Sequence, residues 1–86
     1  ADNADLVRKK TRFFAERIRS TMAVDILESV LSEDTVLTVA RRTGMKEKEV
    51  EDILKRLRMD YCTEGNIDDK EMKWAIDTIN DLTERI

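Results

Sequence analysis

The chain has 86 residues, 41% of them hydrophobic and 41% charged, with a net charge of −3. That is one domain's worth of apolar material under a heavily charged surface. With no histidine and a single cysteine, Cys62, Ser-His and Cys-His nucleophiles, an internal disulfide and a Cys/His zinc site are all excluded. Gly44 and Gly65 lie too far apart for a phosphate-cradling loop. The chain therefore reads as non-catalytic, with no cofactor and no evident small-molecule substrate. The lone cysteine fits a reducing, cytoplasmic compartment. No apolar run approaches the ~20 residues a membrane span needs. Ala1-Asp2 is compatible with removal of an initiator Met or with a cleaved leader.

Without proline, the sequence favours helices over strands. The first helix is expected from about Asp5 to Arg19, with Asn3 as its cap and Leu6, Phe14, Ile18 and Met22 as its apolar stripe. Phe13 and Phe14 are adjacent, so only one of them can face that stripe. A second helix is expected over about Met22–Leu31, turning Ala23, Ile26, Leu27, Val30 and Leu31 inward, or continuing the first as one long helix. Ser32 then reads as a cap, with Glu33 and Asp34 in the first turn of a third helix over about 33–43. Gly44 ends it, because glycine takes the left-handed conformation cheaply. The fourth helix is expected over about 47–59, with Val50, Ile53, Leu54 and Leu57 on one face and Lys46 where a capping side chain is usual. A loop spans 60–67. The fifth helix opens on Asp68 with Glu71 as an acidic capping box and Ile67 with Met72 as a hydrophobic staple. It continues through Trp74, read as a core residue, and Ala75, Ile76, Ile79 and Leu82. The fold expected is an all-α bundle of four to five helices.

Charge is unevenly spread. Arg8, Lys9, Lys10, Arg12, Arg17 and Arg19 face only Glu16 in residues 8–19. Residues 60–86 hold eight acids against Lys70, Lys73 and Arg85. Such asymmetry suggests a basic contact surface, or pairing between the two ends of neighbouring subunits.

Residues 36–55 read VLTVARRTGMKEKEVEDILK, with Ala40, Gly44 and Val50 spaced by four and then six. A small residue lets two helices approach, the glycine makes the turn, and the valine packs the second helix on the first. This stretch resembles the helix-turn-helix of bacterial and archaeal DNA-binding proteins. The resemblance implies a tri-helical centre and a DNA-binding regulatory module, with helix 47–59 reading the major groove. Lys46 and Lys48, with Glu47, Glu51 and Asp52, would then face base edges. Arg41, Arg42, Arg8, Lys9, Lys10 and Arg12 would neutralise phosphates. Four acids in the first turns of the reading helix argue against this, since phosphate repels them.

Residues 60–71 read DYCTEGNIDDKE and resemble the twelve-residue EF-hand calcium loop. The resemblance implies Asp60, Glu64, Asn66 (through its backbone carbonyl), Asp68 and Glu71 as oxygen ligands and Gly65 at the bend. Cys62 stands at position 3, where calcium disfavours a soft sulfur. More loosely, Thr43-Gly44, Glu49-Val50, Ile67-Asp68 and Trp74–Asp77 resemble the C-terminal helical segment of nitrate/taurine-type solute-binding proteins. That resemblance implies a structural or protein-interaction subunit. A homodimer is expected in either case, because so small a core gains from further burial.

Overall fold

The computed structural model describes residues 2–86 and holds four helices: α1 (Asn3–Met22), α2 (Glu33–Thr43), α3 (Glu47–Tyr61) and α4 (Asp69–Arg85). No strand occurs among the described residues. The all-α bundle expected from composition is therefore the fold.

Three local expectations change. The cap of α1 is Asp2, not Asn3: the Asp2 carboxylate accepts from the backbone N–H of Ala4 at 2.9 Å and of Asp5 at 3.4 Å. The buried face of α1 is Ala4, Val7, Thr11, Phe14, Ala15 and Ile18, which leaves Leu6 48% exposed. The second expected helix, Met22–Leu31, does not form. Ala23 stops α1 in the left-handed conformation at φ 59°. Asp25 then turns its side chain onto the Leu27 N–H at 2.9 Å. Short polar side chains compete with helix in this way.

What fixes the 24–31 segment is Arg58. Its guanidinium donates to the carbonyls of Ile26, Glu28 and Ser29 at 2.8, 2.6 and 3.2 Å. Those oxygens would accept from the i+4 amide in a helix; here a charged side chain satisfies them. Ile26 alone of the segment is buried, while Val30 is 73% exposed.

The remaining helix ends follow the sequence. Ser32 accepts from the Thr35 N–H at 3.2 Å. Gly44 closes α2 at φ 72°. Lys46 starts α3 with no side-chain cap, and Asp68 caps α4 through the Glu71 N–H at 2.8 Å. Val36, Val39 and Ala40 of α2, Val50, Leu54 and Leu57 of α3, and Ala75, Ile79 and Leu82 of α4 close one core with α1.

α1 packs most extensively on α4, and the two run parallel, since their starts meet at Asn3 and Asp69 and their later turns at Arg17 and Thr83. At their starts Asn3 donates to the Ile67 carbonyl at 3.1 Å and to Asp69 at 2.8 Å, and Asn66 accepts from the Ala4 N–H at 3.0 Å. Further along, Lys10, Phe13, Phe14 and Arg17 line one groove with Ile79 and Thr83.

Candidate interaction face

α2 turns into α3 at Gly44. Ala40 and Val50 are buried on either side of the left-handed Gly44. The cations assigned to DNA are nevertheless scattered. Arg41 and Arg42 are exposed at the end of α2, in a hollow shared with Thr21, Met22 and Thr38. Lys46 is exposed at the turn. Lys48 is held by its own helix, 3.5 Å from Glu51 and 3.1 Å from Asp52. The notch between the starts of α2 and α3 surrounds that one ammonium with Glu33, Glu47 and Glu51. Arg8 and Lys9 pair with Asp5, and Arg8 also donates to the Thr63 carbonyl at 3.1 Å, far from the start of α3. Arg12 lies against Tyr61. The basic residues of α1 and α2 thus do not gather on the proposed reading helix.

The residues of the calcium-like loop do not converge on one point, and no group of three metal-ligating side chains exists among the described residues. Asp68 is spent on the α4 cap and Asn66 on the α1 amide. Glu64 points outward with Cys62. Asp60 and Glu71, the two ends of the loop, do come together, and the cation between the helices is Arg56. Its Nε donates to Glu71 at 2.9 Å, and its guanidinium stacks 3.8 Å from the centre of the half-buried Trp74 ring. Asp60 is buried, and its Oδ2 has no hydrogen-bond partner among the described residues. Burial first, then Glu71, push the Asp60 carboxyl up to about 7, while Arg56 holds Glu71 below its usual value. A proton shared between the two carboxyls accounts for the otherwise orphaned oxygen.

A different surface stands out. Leu6, Lys10, Phe13 and Arg17 recur at i, i+4, i+7 and i+11, so they form one stripe along α1. Phe13 is 69% exposed within it. Lys10 and Arg17 flank it and make no ion pair among the described residues. The far wall of the groove is Ile79 and Thr83 of α4. The spacing was visible in the sequence. The four- and eight-residue spacing of Leu6, Phe14, Ile18 and Met22 hides it, because that spacing sets Leu6 on the core stripe.

Four helices around a single core, with an apolar and basic stripe left on the first, define a small all-α helical domain. The chain belongs to the family of the DUF4350 C-terminal helical domain, whose model matches residues 1–86. No curated protein and no solved structure matches it.

Proposed function

We propose that the chain is a non-catalytic docking domain that holds a protein partner on the α1–α4 face. One observation carries this reading: Phe13 stands 69% exposed on α1, with Leu6 two turns before it on the same stripe and with Lys10 and Arg17, which make no ion pair among the described residues, on either side. Covering a phenylalanine gains about 1.5–3 kcal/mol. Aromatic residues and arginine are also the side chains that dominate protein interfaces. The alkyl stems of Lys10 and Arg17 extend the apolar surface while their tips stay available to carboxylates. The family's description as a C-terminal helical domain fits a module carried at the end of a longer polypeptide.

A second reading, contact with duplex DNA, is supported by the turn at Gly44 between α2 and α3 and by the exposed Arg41, Arg42 and Lys46, which make no ion pair among the described residues. The acids around Lys48 weigh against it, because a phosphate approaching α3 meets Glu47, Glu51 and Asp52 first.

Photocrosslinking separates the two. A photoreactive phenylalanine analogue is placed at position 13 in cells making the protein, and at Met59, which is 72% exposed, for comparison. The docking reading expects a discrete protein adduct from position 13 and none from position 59. No adduct from 13, or one that nuclease removes, would overturn it.

A further inference from the structure

We infer that the partner on this face is a second copy of the same chain, laid groove to groove about a two-fold axis parallel to α1 and α4. The inference rests on the docking reading and adds the identity of the occupant.

It comes from how charge is placed on the two rims. The α1 rim carries Lys10 and Arg17, seven residues apart. Next to Ile76 and Thr83 on α4, the outward row carries Asp77 and Glu84, also seven apart and exposed. Seven residues advance a helix by about 10.5 Å, so the two charge pairs have the same pitch.

Their heights match as well. Asn3 meets Asp69 across the helix pair, a difference of 66 in residue number, and the Lys10–Arg17 stretch lies beside Ile79 and Thr83. Because α1 and α4 run parallel, this sets Lys10 level with Ile76 and Asp77, and Arg17 level with Thr83 and Glu84. A two-fold axis along the helices preserves height and exchanges left for right. It therefore places α1 of one copy over α4 of the other, with Lys10 facing Asp77 and Arg17 facing Glu84, twice. Phe13 falls between the two ion pairs, over the partner's groove. No other two-fold arrangement of facing grooves does this: an axis across the helices would set α1 on α1 and cation against cation.

The competing contacts are weak. Asp77 is tied only to Lys73, in an exposed i,i+4 pair at 2.7 Å, and Glu84, Lys10 and Arg17 make no ion pair among the described residues. An exposed pair of that kind contributes little and is readily exchanged.

Sedimentation equilibrium of the chain, alone and in mixtures, tests this, with circular dichroism confirming that each variant is folded. The wild-type chain should form a dimer. K10E/R17E and D77K/E84K should each weaken it at least tenfold, since each sets like charges together twice. An equimolar mixture of the two variants should recover the dimer. In the mixed pair one contact is wild type and the other is the same ion pair with its signs reversed. A monomer at every concentration, a dimer indifferent to both variants, or a mixture that fails to recover would overturn the inference. The docking reading would outlive that result if position 13 still crosslinks to a different protein. It falls separately if position 13 crosslinks to nothing.

Discussion

Asp60→Asn should stabilise the fold above pH 7 and leave it nearly unchanged at pH 4. In the wild-type chain the buried Asp60 carboxyl keeps its proton up to about pH 7, against an ordinary value of 3.8. Between those values the folded state holds a proton the unfolded state has released. Stability from this group is therefore fully present below about 3.8 and is lost as pH rises towards 7. Moving a carboxyl from 3.8 to about 7, at about 1.4 kcal/mol per pH unit, sets a ceiling of about 4 kcal/mol. Movement of the neighbouring side chains and access of water reduce it, and about 1–2 kcal/mol is expected at pH 8. Glu71 acts in the opposite sense. Arg56 lowers its pKa, so its contribution is present at neutral pH and is lost as pH falls through the lowered value. This term is largely common to both proteins and largely cancels in their difference. The asparagine amide can donate to Glu71 at any pH, which replaces the shared proton. Thermal melts at pH 4, 6 and 8 read the effect, at about 4–8 °C per kcal/mol for a domain of this size. A variant less stable than wild type at pH 8, or a difference that is the same at pH 4 and pH 8, would refute the reasoning.

Other substitutions test the scaffold around the face. Ala23→Gly relieves a left-handed alanine at φ 59° and should add about 0.5–1 kcal/mol in a thermal melt. Arg58→Ala leaves three carbonyls of the 24–31 segment without their donor and should cost about 2 kcal/mol in urea unfolding. Arg58→Lys should recover only part of that, since one ammonium cannot span three acceptors. Thr11→Val removes a buried hydroxyl that has no partner among the described residues and should be neutral or stabilising by up to about 1 kcal/mol in the same assay. At a dilution where the chain is monomeric, Phe13→Asp should change stability by less than about 0.5 kcal/mol, because the ring contributes little to the core; at higher concentration it should lower the melting temperature by removing the dimer contact.

Helices that own their capping chemistry were legible in the sequence. Ser32 with Gly44, and Asp68 with Glu71, bracket α2 and open α4 through interactions local to the chain. The 22–31 segment was not legible. Its apolar spacing suits a helix, but its conformation is held by Arg58, 29–32 residues away. The acidic 60–71 loop misled for a related reason. Its carboxylates sit at calcium spacing, yet one caps a helix, and Glu71 answers to Arg56 on the preceding helix while the proton between the two loop ends stays on Asp60. The proposed docking face was half-visible. Phe13 and Phe14 could not both be core, and the structure resolves which one is, while the parallel alignment of α1 with α4 depends on Asn3 and Asn66, side chains with no periodic signature.

The most direct test of the docking face uses the two phenylalanines the chain contains. Fluorophenylalanine labelling puts one ¹⁹F reporter in the core, at Phe14, and one on the face, at Phe13. Spectra in water and heavy water, recorded from dilute to concentrated protein and then in cell extract, show which ring meets solvent. The account predicts that Phe13 alone is solvent-sensitive when dilute, and that it shifts and loses that sensitivity as the face is covered, while Phe14 stays fixed. A Phe13 signal that remains solvent-sensitive at every concentration and in extract would contradict it.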